Sequence, residues 1–174
     1  MSPAETLTTA RLELRRSTAE QLRALVVGPE EFTREFGPAV EPGYNEFPEA
    51  LNYTLNKLAT AGAGAAWWAP FLVTHRESGA VIGLCGFKGP ADADGVIELG
   101  YGIAPQFRGQ GLATESASAL VAEARRCISL ARVIAHTLPE HNASTRVLTK
   151  CGFHRTAEVK DPEDGVIWRW ERTP

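Results

Sequence analysis

The sequence predicts a single α/β (α+β) domain over residues 1–174, with a mixed, mostly antiparallel sheet flanked by helices. Three observations lead there. Strand-like and helix-like runs follow one another along the whole chain, with no linker, internal repeat or low-complexity tract between them. Three strand runs in the middle are joined by short turns, which is how antiparallel neighbours are connected. Two more strand runs close the chain after a stretch in which helix and strand alternate. A length of 174 residues is enough to bury a real core. A composition of 44% hydrophobic and 22% charged residues is that of a folded chain and not a disordered one.

Residues 7–16 read as one half-buried strand, with Leu12 and Leu14 alternating against Arg11, Glu13 and Arg15. Ser17 or Thr18 can cap the next segment, with Glu20 close behind. Leu22, Leu25 and Val26 make a short helical stripe that Gly28 and Pro29 end. Residues 29–48 are rich in proline and glycine and read as loop or short helix. A second helix is predicted over 48–61, with Leu51, Leu55 and Leu58 at helical spacing and a stop in the alanine–glycine run 61–64. Residues 67–75 and 80–87 form a hairpin around Glu77, Ser78 and Gly79. Trp67 and Trp68 alternate across its first strand, one in the core and the other toward a pocket or partner.

A turn at 92–95 leads into a strand over 96–103. The helix predicted for 111–128 places Ala113, Ala117, Leu120, Val121, Ala124 and Ile128 on one face. Residues 132–137 are a strand. Residues 142–151 are a short helix with Ala143, Val147, Leu148 and Cys151 on one side. Residues 153–159 and 166–170 form the closing pair.

Composition also removes several function classes. The net charge of −3 lacks the basic surplus expected of a nucleic-acid binder. No apolar run approaches the ~20 residues that span a bilayer. The first residues are polar, unlike a signal peptide. Three cysteines, Cys85, Cys127 and Cys151, form no C-x-x-C pair, so neither a disulfide framework nor a zinc ribbon is expected. A reducing, cytoplasmic setting follows. The histidines show no H-x-x-x-H spacing, and no metal is expected.

The chemistry concentrates after the strand at 96–103. Gln106, Phe107, Arg108, Gly109, Gln110, Gly111, Leu112, Ala113 and Thr114 connect a strand to a helix. Glycines at 109 and 111 let the backbone turn tightly and approach a ligand. The N–H groups of the helix start then point outward, and Arg108 adds a charge. The pattern suits a diphosphate, although two glycines also make an ordinary tight turn. A Walker loop needs G-K-[ST], which is absent. A dinucleotide fingerprint needs a third glycine where Thr114 stands and an acidic residue about 20 positions on.

Gln106-x-x-Gly109-x-Gly111 resembles the acyl-CoA loop of the GNAT superfamily, [QR]-x-x-G-x-[GA]. Residues 139–153, Pro139-Glu140-His141-Asn142-Ala143-Ser144 and onward to Phe153, resemble P-E-N-x-A-S-x-R-V-L-x-K-x-G-F of the RimJ/RimL-like branch. The order of elements is similar over nearly the whole chain. The resemblance implies an N-acetyltransferase that moves an acetyl group from acetyl-CoA to a primary amine by direct attack. The acceptor would be a protein N-terminus or a small-molecule amine, and the protein a monomer or homodimer.

The resemblance also implies that strands 96–104 and 131–138 splay apart. Backbone groups of Ile103 and Ala104 would hold the pantetheine arm, and Asn142 and Ser144 would contact the cofactor. His141 stands where the branch has its Asn, so the contact falls either to His141 or to Asn142. Leu148 stands about where many relatives carry a Tyr general acid, and it cannot donate a proton. Glu98 shares a strand face with Gly100 and Gly102. It is read either as the general base for the amine or as a structural partner of a cation. Ser144 is read either as a donor to the leaving thiol or as a first-turn hydroxyl. Glu115 is read as structural and Cys151 as buried. Residues 28–64, the least patterned part, would shape the acceptor pocket. The alternative class is a non-catalytic acyl-CoA-binding module on the same fold.

Overall fold

The computed structural model describes residues 4–60, 69–127 and 131–173. The chain opens as a hairpin of β1 (Thr6–Thr8) and β2 (Leu12–Arg16). The alternation over 7–16 therefore belongs to two strands rather than one. Thr9 causes the break: its hydroxyl accepts the Leu12 N–H and its own N–H donates to Leu12 O, which closes a turn at 9–11.

Helix α1 (Ala19–Val27) starts on a reciprocal cap. The Thr18 hydroxyl accepts the Gln21 N–H at 3.2 Å, and Gln21 Oε1 accepts the Thr18 N–H at 3.0 Å. Helix α2 (Pro29–Phe36) has proline at its first position, where a missing N–H costs nothing. Helix α3 (Glu49–Thr60) follows. Then come β3 (Phe71–His75), β4 (Val81–Phe87) and β5 (Val96–Ile103). A short 3₁₀ turn at Pro105–Phe107 leads to α4 (Leu112–Cys127), β6 (Arg132–Thr137) and α5 (Ala143–Lys150). Strands β7 (His154–Asp161) and β8 (Gly165–Arg172) complete the chain. The expectations for Trp67, Trp68, the stop at 61–64, the Cys127 side chain and Ile128 fall outside the described residues.

The sheet runs in the order β1-β2-β3-β4-β5-β6-β8-β7. Only β5 and β6 pair in parallel among these neighbours. Their pairing runs from Val96↔Arg132 to Glu98↔Ile134 and then stops. Beyond that point β5 continues to Ile103 against β4, and β6 continues to Thr137 against β8. The two central strands thus diverge, each held by its outer neighbour.

Helices cover both faces. On one, α4 and α5 bury Leu112, Ala117, Leu120, Val121 and Leu148 against Leu12, Leu14, Phe71, Val73, Ile82, Leu99 and Ile103. On the other, Leu22, Leu25, Phe32, Tyr44 and Leu51 of the α1–α3 region pack on Leu72 and Val81. No helix among the described residues is long and apolar enough to cross a membrane.

Leu148 is 0% exposed and sits at the junction of α4, α5 and the sheet. Leu148→Ala is expected to lose about 2–5 kcal/mol of stability through lost burial plus a cavity. Urea denaturation measures it. A loss under about 1 kcal/mol would show that this position is not part of the rigid core.

Candidate active site

Alternation along β5 decides what each residue offers. Lys88 N–H donates to Glu98 O at 2.8 Å and Ala104 N–H donates to Ile82 O at 2.7 Å. Glu98, Gly100, Gly102 and Ala104 therefore turn their backbone groups toward β4, while Tyr101 and Ile103 turn theirs toward the side that β6 has left. Tyr101 and Ile103 face the open lip, whereas the Ala104 N–H is spent on Ile82 O of β4. Sequence alone does not say which edge of a strand each N–H serves.

The lip leads into the glycine turn. Gly109 and Gly111 have φ of +74° and +82°, the left-handed region that favours glycine. A Cβ at Gly109 would meet nothing within 4 Å, so the turn presents open backbone. Glu115 N–H donates to Gly111 O, which is the first i→i−4 bond of α4. The N–H groups of Leu112, Ala113 and Thr114 precede it and form the positive end of a sixteen-residue helix. Gln110 and Gly111 are exposed.

Two contacts hold the turn. Glu115 receives the Thr9 hydroxyl at 2.6 Å, the Arg11 N–H at 2.8 Å and the Arg11 guanidinium at 2.8 and 2.9 Å. Arg11 also donates to Gln110 O at 2.8 Å. Glu115 is thus a brace between the β1–β2 turn and the glycine turn. On the other side, the Arg108 guanidinium donates to Ile103 O at 2.8 Å and pairs with Glu46, and Gln106 Nε2 donates to Glu41. Arg108 is therefore already answered by a carboxylate, and the backbone N–H groups carry more of the anion-binding potential than its charge suggests.

Helix α5 starts on Asn142, whose Oδ1 accepts the Thr145 N–H at 3.1 Å, while Thr145 Oγ1 accepts the Asn142 N–H at 3.0 Å. The Asn142 Oδ1 thereby serves as a cap. His141 is exposed, its ring edge-on to Trp168 at 5.3 Å. Ser144 is half-buried, and its carbonyl accepts the Tyr101 hydroxyl at 3.2 Å. Burial pushes the Tyr101 phenol well above its ordinary value. Cys151 is buried, with Ser118 Oγ at 3.4 Å. Among the described residues its thiol meets Ser118 Oγ and Thr114 O, neither of them a base that would make it a nucleophile.

Glu98 is not alone. Lys88 Nζ lies 2.6 Å and His136 Nδ1 3.1 Å from its Oε1. Burial opposes its ionisation, but the Lys88 charge and hydrogen bond, with His136, outweigh burial and hold the carboxyl below the ordinary glutamate value. This cluster and Gly100 and Gly102 lie on the α1–α3 face of the sheet. There the position a Cβ of Gly102 would occupy is 3.9 Å from Tyr44 O. Tyr101, Ser144 and Cys151 lie on the opposite face. Sequence reasoning missed Lys88, His136 and Tyr101. Lys88 could have been found by extending the β4–β5 register to Glu98, but His136 needed the parallel pairing of strands 36 residues apart in their registers.

A family model described as an acetyltransferase (GNAT) domain matches residues 11–154. The N-acetyltransferase YoaA of Bacillus subtilis (strain 168) is 28% identical over 162 residues, covering 88% of this chain and 85% of that protein. Among solved structures, the fold is similar to RimL, a ribosomal L7/L12 alpha-N-protein acetyltransferase in complex with coenzyme A. The TM-score is 0.71 at 18% identity, over 97% of this chain and 98% of that one. It is also similar to Mycobacterium smegmatis RimJ in complex with CoA-disulfide, with a TM-score of 0.67 at 18% identity, over 99% and 87% of the two chains.

The brace predicts a pH dependence. Burial raises the Glu115 carboxyl, but the Thr9 and Arg11 hydrogen bonds and the Arg11 charge win and hold it below its ordinary value of 4.5. A depressed folded value stabilises above the unfolded value and is lost as pH falls through the folded one. Glu115→Gln should therefore be less stable than the parent above about pH 5, with the gap closing as pH drops below the ordinary carboxylate range. Urea denaturation across pH checks this. A gap independent of pH would remove the charge from the explanation.

Proposed function

The chain belongs to the GNAT acetyltransferase family, and on that premise we propose that it transfers the acetyl group of acetyl-CoA directly to a primary amine. The observation that carries this reading is the parting of β5 from β6 where β5 runs into the glycine turn and α4. A strand-like ligand arm fits the open edge at Tyr101 and Ile103, by the same backbone pairing that adds a strand to a sheet. Its diphosphate fits the N–H groups from Gly109 to Thr114, where the helix end contributes about 0.3–1 kcal/mol to an anion. The cradle suits such a group: there is open space above Gly109, and left-handed glycines bring the backbone up to a ligand.

The acceptor comes from the other face. Gly100 and Gly102 put no side chain over the gap, and Tyr44, from the weakly patterned segment 28–64, lies over Gly102. The amine nitrogen attacks the thioester carbonyl carbon, the C–N bond forms, and the C–S electron pair returns to sulfur. Ser144, at the start of α5, is assigned to the thiol side in this reading. The similarity of residues 139–153 to the RimJ/RimL-like branch supports a protein N-terminus as acceptor, with a small amine as the other member of the same class.

The test is a panel of N-terminal peptides and small amines with acetyl-CoA, read by release of free thiol. Release that depends on a primary amine is expected. Tight acetyl-CoA binding with no turnover on any amine would instead make the chain an acyl-CoA-binding module.

A paired substitution tests the cradle. Gly111→Val and Gly79→Val each force a β-branched residue to positive φ, +82° and +71°, at a cost of about 1–2 kcal/mol. Only Gly111 lies at the cradle, whereas Gly79 lies in the β3–β4 turn. Calorimetric titration should show acetyl-CoA affinity lowered at least tenfold in Gly111→Val and unchanged in Gly79→Val. Parental affinity in both would sink the loop assignment.

A further inference from the structure

We propose that His136 is the group that takes the proton from the attacking amine, and that Glu98 is its positioning residue. The inference rests on the acetyl-transfer reading and deepens it at the same site. His136 lies on β6 two residues beyond Ile134, the last residue paired with β5. Continuing the parallel register sets it across the gap from Gly100, on the same sheet face as Glu98. It stands on the second lip of the opening, on the side from which the amine approaches. Its side chain is 20% exposed, enough to meet a ligand yet sheltered from bulk water.

The hydrogen-bond roles fix its form. An ionised carboxylate only accepts, so the contact between Nδ1 and Glu98 Oε1 is Nδ1–H donating at 3.1 Å. In the neutral imidazole the lone pair is then on Nε2, which is the basic nitrogen. Lys88 and His136 both meet Glu98 at Oε1, and the Lys88 charge helps keep the carboxylate ionised. A carboxyl held below its ordinary value is a weak base, but it is well suited to orient an imidazole and to stabilise the imidazolium. The groups facing His136 are Glu98 from β5, Lys88 from the end of β4, Asp161 from the end of β7, and Arg169, its cross-strand partner on β8. Arg169 is itself paired with Glu171 at 2.8 Å, which leaves Lys88 as the cation facing Glu98 and Asp161.

The step balances. An acceptor ammonium gives one proton to His136 Nε2. The freed nitrogen lone pair forms the C–N bond, and the C–S pair leaves with sulfur. The second nitrogen proton is lost as the amide forms and neutralises the thiolate. The imidazolium then returns its proton to water.

Two measurements test the assignment. The first needs no turnover: long-range nitrogen-15 correlation spectra of the labelled protein report which His136 nitrogen carries the proton. The Nδ1–H form is expected in the parent, with the bias lost in Glu98→Gln. An Nε2–H form would overturn the proposal.

The second compares kcat/KM on the best amine of the panel. His136→Gln should fall on the order of 100-fold or more, with unchanged acetyl-CoA affinity by calorimetry, and Glu98→Gln by less. Imidazole in the buffer should restore part of the activity of His136→Ala. A His136→Gln enzyme that binds acetyl-CoA and keeps activity within about threefold would refute His136 as the base while leaving acetyl transfer intact. A parent that binds acetyl-CoA but releases no thiol with any amine would fail the transfer reading and this proposal with it. A His136→Gln chain that loses acetyl-CoA binding would also refute the assignment, because a base on the amine side does not hold the cosubstrate.

Discussion

Two neighbouring strands in the middle of a sheet stop sharing hydrogen bonds after three residues, and much else in the molecule follows from that. Buried backbone groups that lose a partner cost free energy comparable to a lost hydrogen bond each. Such an opening persists only if both strands are fixed from outside. Here β4 holds β5 through Ile103, and β8 holds β6 through Thr137. Antiparallel partners on both flanks make the divergence rigid. Glycines at 100 and 102 leave room on their face for the Lys88 stem, 3.4 Å from a Cβ at Gly100, and for Tyr44 O, 3.9 Å from one at Gly102.

The opening would be of little use without a fixed anion site at its end. The glycine turn is an exposed loop, and left alone such a loop would lose entropy on meeting a ligand. Two independent ties reduce that cost. Glu115 joins the turn to the N-terminal hairpin through Thr9 and Arg11. Glu41 and Glu46 join it to the segment over the other face through Gln106 and Arg108. Gly43 packs so closely there that a Cβ would fall 2.8 Å from Pro105 Cδ. The acceptor-side segment and the diphosphate turn are thus one mechanical unit, and a ligand that recruits Arg108 must compete with Glu46.

Much of this was legible in the sequence because it is local. The strand-turn-helix from 96 to 127, the antiparallel trio β3–β5 and the buried stripe of α4 all follow from periodicity and glycine chemistry. The places where reading failed are those where a residue's role is set by a strand far away in sequence. The first strand split because one threonine hydroxyl satisfied a turn that alternation does not reveal. Ala104 was assigned to the open lip because the pleat's phase relative to β4 is a property of the pair. Arg108 read as free charge because its carboxylate partner comes from a segment without pattern. Asn142 read as a ligand contact, yet an Asn followed three residues later by a hydroxyl residue is also a cap, and the cap is what the geometry shows.

The division of the sheet into two faces explains which parts are constrained together. Everything that would meet the cosubstrate lies along β5, the glycine turn, α4 and the first turn of α5, and these share one core through Leu99, Ile103, Leu112, Leu120 and Leu148. Everything that would meet the amine lies on the other face, beneath a separate, smaller cluster around Leu22, Phe32, Tyr44 and Leu51. A substitution in that second cluster can reshape the acceptor side without moving the diphosphate turn, except through Glu41, Gly43 and Glu46. The Lys88–Glu98–His136 cluster sits where the two faces communicate, on the rim of the gap itself. Its charges are exchanged among β4, β5 and β6, so it reports the spacing of the central strands.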